Sequence, residues 1–141
     1  MIECICEYNH ASLRRIASKA RGEGNFRQIM GSYGIKSMIV MKDGFIMLTP
    51  LRTNVYYDKL KDKSKYLEVD SKRMVIAKDI IREITMKPNR GQKRDIVKAR
   101  AEERYFNRCN YKKRRRYCIF TTTGRVYAVP LIREDLENET G

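Results

Sequence analysis

Met38-Ile39-Val40-Met41-Lys42-Asp43-Gly44-Phe45-Ile46-Met47-Leu48-Thr49-Pro50-Leu51 is the stretch on which the fold turns. Two apolar runs, 37–41 and 45–49, flank an Asp-Gly pair. Asp and Gly tolerate the positive φ angles of a type I′ turn, so the stretch predicts a β-hairpin. Both runs are apolar at nearly every position, which predicts a hairpin buried on both faces or central in a sheet. Pro50 ends it.

A second hairpin is predicted 80 residues later, with runs 117–120 and 125–129 joined through Thr121-Thr122-Thr123-Gly124. Ile39 falls on Ile119, Gly44 on Gly124, Pro50 on Pro130 and Leu51 on Leu131. Upstream the match continues at an offset of 79, Lys19-Ala20-Arg21 on Lys98-Ala99-Arg100 and Glu23 on Glu102. One extra residue inserted there places Phe26 on Phe106. The leading segment overlays as well, Ile2 on Ile81 and Ile5 on Ile84. Two readings compete. One is a duplicated strand–helix–hairpin unit, with halves 1–51 and 80–131 arranged about a shared sheet or barrel. The other is chance, because β-branched runs and glycine turns match one another easily.

Working outward, residues 2–8 place Ile2, Cys4, Cys6 and Tyr8 on one face and Glu3, Ile5 and Glu7 on the other, which predicts a half-buried strand. Asn9 is the candidate cap of a helix over 10–21. Leu13, Ile16, Ala17 and Ala20 form its apolar stripe, flanked by Arg14, Arg15, Lys19 and Arg21. Gly22 and Gly24 stop it. Phe26, Ile29 and Met30 predict one helical turn. Residues 54–57 and 66–69 read as short strands, with an exposed charged loop between. In 71–87, Met74, Ala77, Ile80, Ile81 and Ile84 fit a helix. β-Branching at Val75, Ile76, Ile80, Ile81, Ile84 and Thr85 instead favours strands at 73–77 and 80–86, with a turn at Lys78-Asp79. After Pro88-Asn89-Arg90-Gly91, residues 92–108 lack Gly and Pro and are rich in Lys, Arg, Ala and Glu, which predicts a helix. Lys93, Arg100, Arg104 and Arg108 would share one sector of it.

The expected fold is therefore α+β: a mostly antiparallel sheet or small barrel with two helices, in one compact domain over 1–133, followed by an acidic flexible tail at 134–141. With 42% hydrophobic residues, the 141-residue chain can build a modest core, which argues against wholesale disorder.

The charge is lopsided. Lys and Arg number 31 against 17 Asp and Glu, a formal net charge of +14. Twelve of those cations and only three acids lie between Arg90 and Arg116. Five are consecutive, Lys112-Lys113-Arg114-Arg115-Arg116, between Tyr111 and Tyr117. Guanidinium groups fork onto phosphate oxygens, and tyrosine rings stack on unpaired bases. A polyanion would also offset the self-repulsion of so basic a chain. The expected partner is nucleic acid, DNA or RNA. It would be held by Arg90, Lys93, Arg94, Lys98, Arg100, Arg104, Arg108, Tyr111, Lys112, Lys113, Arg114, Arg115, Arg116 and Tyr117, with Arg14, Arg15, Lys19 and Arg21 as an extension. The competing account of such a run is a solvated surface.

Other classes carry less. An acidic protein partner is an alternative for a small basic domain. A metal-independent ribonuclease can be drawn from His10, with Glu7 or Glu23, Tyr8 and an arginine. Cys4, Cys6, His10, Cys109 and Cys118 do not have the spacing of a structural zinc site and read as core thiols. No cofactor is expected: Gly22-Glu23-Gly24 lacks the Lys-Ser/Thr ending of a phosphate loop. No run resembles a signal peptide or a membrane span, so a cytoplasmic protein with no membrane partner is expected.

Overall fold

A computed structural model of the chain describes residues 1–29, 34–69, 73–107 and 116–130. The basic loop at 109–115, Arg108 and the acidic tail lie outside them. The elements are β1 (Ile2–Glu7), α1 (Ala11–Gly22), β2 (Phe26–Gln28), β3 (Ser37–Met41), β4 (Ile46–Thr49), α2 (Thr53–Lys59), β5 (Tyr66–Val69), β6 (Met74–Ala77), β7 (Ile81–Thr85), α3 (Arg90–Ala101), β8 (Tyr105–Asn107), β9 (Tyr117–Thr121) and β10 (Val126–Val129). The fold is α+β. Among the described residues there are three helices and two mixed sheets, ordered β2-β4-β3-β1-β6-β5 and β7-β9-β10-β8, and no barrel closes. The chain divides into two compact units, Met1–Asp79 and Ile80–Gly141.

The two units repeat one plan. In the first, β1 pairs antiparallel with β3, β3 forms the hairpin with β4, and β2 adds to β4 in parallel. In the second, β7 pairs antiparallel with β9, β9 forms the hairpin with β10, and β8 adds to β10 in parallel. Even the irregularity recurs: β1 breaks register between Ile2 and Cys4, β7 between Ile81 and Glu83. The repeated unit is thus strand–helix–strand–hairpin, one strand richer than the sequence overlay implied. Each copy builds its own sheet.

The short strands β2 and β8 also correct the alignment. Phe26 sits opposite Ile46 and Tyr105 opposite Val126, so Phe26 corresponds to Tyr105, not Phe106. The extra residue of the second copy falls between 107 and 117.

What ends each helix explains why the predicted helix over 92–108 stops at Ala101. In the first unit Gly24 takes a left-handed φ of 78°, its N–H donates to Arg21 O, and Asn25 N–H reaches back to Ala20 O at 2.9 Å. This is the paired 5→2 and 6→1 hydrogen bonding of a Schellman turn. In the second unit Glu103 adopts φ 55°, donates to Arg100 O, and Arg104 N–H reaches Ala99 O at 2.7 Å. A non-glycine left-handed residue costs roughly 1–2 kcal/mol, and two terminal hydrogen bonds of about 1 kcal/mol each offset it. The chain then runs directly into β8, with Val126 N–H donating to Arg104 O, as Ile46 N–H donates to Asn25 O in the first copy.

The hairpin turns are three-residue loops, not type I′ pairs. Gly44 N–H donates to Met41 O and Gly124 N–H to Thr121 O, and only the glycines are left-handed, at φ 98° and 83°. That is a type I turn closed by a left-handed glycine.

The remaining differences come from tertiary context. β1 is central in its sheet, and Glu3, Cys4, Ile5 and Cys6 are all buried, so the strand is covered on both faces instead of half-buried. Residues 26–28 extend along β4 and do not form a helical turn. Residues 54–57 belong to α2, whose Tyr56 and Tyr57, followed by Leu60, pack on Ile5, Ile39 and Val75. That apolar face overrides their strand propensity. Residues 73–87 resolve in favour of strands, β6 being buried along its whole length between β1 and β5.

Glu103→Gly is expected to raise stability by about 0.5–1 kcal/mol in urea unfolding, relief of the left-handed strain exceeding the added chain entropy. Gly24→Ala in the first copy is expected to lower it by about 1–2 kcal/mol. A loss of stability in Glu103→Gly would contradict the assignment of this turn.

Candidate nucleic-acid interface

The fold sorts the basic residues. α1 packs on its sheet through Leu13, Ile16, Ala17 and Ala20, all buried. That direction turns Arg14, Arg15 and Lys19 outward, where they are exposed. α3 buries only Ala99, with Ile96 partly covered, and Arg90, Lys93, Arg94, Lys98 and Arg100 are exposed. The start of α3 is well built: Gln92 N–H donates to Asn89 Oδ1 at 2.8 Å, and Gln92 Oε1 accepts from Asn89 N–H at 2.9 Å. This capping box sets the helix and hence the direction of its side chains.

At the structural offset of 79, each of the four basic positions of α1 coincides with a basic position of α3. Arg14 matches Lys93, Arg15 matches Arg94, Lys19 matches Lys98, and Arg21 matches Arg100. The apolar positions coincide less well, since Leu13 meets Gln92 and Ile16 meets Asp95. So the exposed cations recur where part of the core does not.

Some of these cations have structural work. Arg21 lies over the Phe26 ring at 4.7 Å and donates to Gln28 Oε1, and Arg100 lies over the Tyr105 ring, also at 4.7 Å. Each contact ties helix to following strand and contributes about 0.5–1 kcal/mol. Lys19, Arg21, Lys98 and Arg100 also sit in last turns, where the helix dipole favours cations. Arg14, Arg15, Lys93 and Arg94 have neither explanation. Among the described residues none of the four is in an ion pair with a carboxylate within 4 Å. Arg90 and Lys93 even lie in the first turn of α3, which contains no acid, where the dipole disfavours positive charge.

The other predicted contacts are placed as follows. Arg104 leaves the helix and sits in the turn before β8, with Nε 3.8 Å from Glu102 Oε2. A helical ridge through Lys93, Arg100, Arg104 and Arg108 therefore does not form. Arg116 Nη1 donates to Tyr105 Oη at 3.4 Å. Tyr117 is in the core at 7% exposure, as is Tyr105, so neither ring is presented for base stacking. Arg108, Tyr111, Lys112, Lys113, Arg114 and Arg115 lie outside the described residues. Arg82 and Arg125 are basic residues of the second unit that sequence reasoning missed. Their signal was available in the overlay, where they replace Glu3 and Phe45.

His10, not Asn9, caps α1. Ser12 N–H donates to His10 Nδ1 at 3.1 Å, so that nitrogen carries no proton and serves as an acceptor. Asn9 Nδ2 instead donates to Glu7 Oε2. Burial pushes the Tyr8 hydroxyl up from its ordinary range, with Arg14 and Arg21 partly opposing it. Cys4, Cys6 and Cys118 are buried thiols. Among the described residues no group of three His, Cys, Asp or Glu side chains could hold a metal, and no helix is long and apolar enough to cross a membrane.

No protein-family model matches the sequence, and a search of curated proteins finds no match.

His10→Ala is expected to lower stability by about 1 kcal/mol through loss of the cap, and His10→Asn to retain it. An unchanged unfolding midpoint in His10→Ala would remove the capping role.

Proposed function

We propose that the protein binds nucleic acid, DNA or RNA, through its phosphate backbone, with the exposed basic faces of α1 and α3 as equivalent contact surfaces. One observation carries this reading: the basic pairs Arg14-Arg15 and Lys93-Arg94 recur at matched positions, exposed and in no ion pair with a carboxylate among the described residues. General solubility requires net charge but no particular positions. Repeated positions fit a repeated target, and the phosphate chain is such a target. The burial of Tyr105 and Tyr117 favours backbone gripping over base stacking as the main source of affinity. Arg90 and the basic loop at 109–116 add charge on the second unit alone. Buried thiols at Cys4, Cys6 and Cys118 fit a reducing compartment such as the cytoplasm.

The test is a titration against duplex DNA, single-stranded DNA and RNA at 50 and 200 mM salt. With six or more phosphates contacted, affinity for duplex should fall by about 10³–10⁵ over that range. Removing charge as Arg15→Gln with Lys19→Gln, or as Arg94→Gln with Lys98→Gln, should reduce the salt slope by about one for each phosphate no longer neutralised. A flat salt response, or tight binding to an acidic protein with none to nucleic acid, would refute the proposal.

A second outcome separates function from stability. Arg90→Glu should stabilise the fold by roughly 0.3–1 kcal/mol, because it places an acid at the N-terminus of α3. The same substitution should weaken nucleic-acid binding. Stabilisation with unchanged affinity would take Arg90 out of the interface.

A further inference from the structure

The second unit contains a cleft of about 220 Å³ between α3, β7 and the β9–β10 turn. Its charged lining is Arg82, Lys98, Arg104 and Arg125 together with Asp95 and Glu102. The first unit shows what this place looks like when it is only structural. At matched positions it has Glu3 for Arg82, Ile16 for Asp95, Asn25 for Arg104 and Phe45 for Arg125. Ile16 and Glu3 are fully packed there, at 4% and 0% exposure. In the second unit Asp95 and Arg82 are exposed, and the space beneath them is open. The second unit therefore has three guanidinium groups where the first has a carboxylate, an amide and a phenyl ring, while the ammonium of Lys98 recurs as Lys19.

The backbone makes room for this. Gly124, at φ 83°, has Arg104 Nη1 so near that a Cβ would meet it at 3.2 Å. The turn is anchored by Thr122 N–H donating to Ile80 O at 2.8 Å. Arg104 is thus held across the turn toward the cleft. Four cations face the two lining carboxylates and Glu83, which pairs with Arg82 at 3.3 Å, so the formal charge is +1, and a positive site attracts the more highly charged anion more strongly. A phosphate monoester carries about −1.5 to −2 at neutral pH, whereas an internal phosphodiester carries one negative charge. Guanidinium forks match the oxygens of such a group. The cleft is smaller than the roughly 300–1,000 Å³ typical of sites for drug-sized molecules, and it suits a single phosphoryl group with its attached sugar.

The geometry points to a binding site for the terminal phosphate monoester of a nucleic-acid strand. This rests on the proposed backbone binding, because Lys98 belongs both to the exposed face of α3 and to the cleft. The internal diesters lie along the helix, and the end of the strand enters the cleft.

The experiment compares oligonucleotides of one sequence that differ only at their ends: 5′-phosphate, 3′-phosphate or hydroxyl at both. Affinities are measured on the full chain by fluorescence anisotropy, with inorganic phosphate as competitor. A strand with one kind of terminal phosphate should bind about tenfold more tightly or better than the hydroxyl strand, the effect of one charge-assisted contact or more. Inorganic phosphate should erase that difference while leaving hydroxyl-strand binding in place. Arg82→Ala, a change at an exposed side chain, should abolish the preference. Asp95→Ile with Arg125→Phe should abolish it too, because it restores the filling used by the first unit. Equal binding of all three strands would overturn the terminal-phosphate site and leave backbone binding standing. No binding of any strand would overturn both.

Discussion

Both units depend on the turn that ends their helix. A single backbone bond, Asn25 N–H to Ala20 O in one copy and Arg104 N–H to Ala99 O in the other, reverses the chain just past the last helical residue. The next amide link, to the hairpin's second strand, locks the reversed chain as a parallel edge strand. A parallel neighbour cannot be reached by a tight hairpin and needs a crossover element, which the helix supplies. Once both ends of the helix are pinned, by its cap and by this turn, its rotation about its own axis is no longer free. Ala20 and Ala99 must then face the sheet, and Arg14, Arg15, Lys93 and Arg94 must face away. The basic surface is in this sense a consequence of how the helix is terminated.

The copies have diverged around that shared frame in opposite ways. The first unit has gained α2, β5 and β6, and it covers both faces of β1 with apolar side chains. It carries Leu13 and Ile16 under its helix, and the junction near Glu3 is filled. The second unit has less beneath α3 and leaves Val97 66% exposed. It places charge at Arg82, Asp95, Arg104 and Arg125, where the first unit has one acid, one amide and two apolar groups. Local rules of core building are followed in one copy and relaxed in the other. Such relaxation is characteristic of functional positions.

Much of the architecture was legible in the residues. The hairpins at 37–49 and 117–129 were visible because apolar runs around a glycine turn specify pairing locally. The strands of 73–77 and 80–86 were visible because β-branching outweighed a coincidental helical spacing. The repeat was visible through the same hairpins. The end of α3 was not, because the left-handed position is filled by Glu103 and no glycine marks it. That one hidden turn displaced the alignment by a residue at Phe26 and extended a helix over β8. α2 was hidden for a different reason: Tyr56, Tyr57 and Leu60 are recruited by a distant apolar sheet face, and local propensity does not report on that. At the candidate site, the basic helix was legible as charge, and its sharing between copies was already visible in part, as Lys19 and Arg21 on Lys98 and Arg100; the helix bounds extend the match to Arg14 and Arg15 on Lys93 and Arg94. Tyr117, read as a stacking ring, lies in the core because it opens a strand whose residues are all buried. Arg125 was marked in the overlay, where it replaces Phe45, but a place beside a hairpin glycine does not report that the residue lines a cleft.

The most direct test of the central proposal, that each of two equivalent helices carries a contact surface, is amide chemical-shift mapping of the full chain during titration with a short oligonucleotide. The account predicts that the largest shifts fall together on the exposed residues of α1 around Arg14, Arg15 and Lys19 and of α3 around Lys93, Arg94 and Lys98. Shifts confined to one of the two helices, or centred away from both, would contradict it.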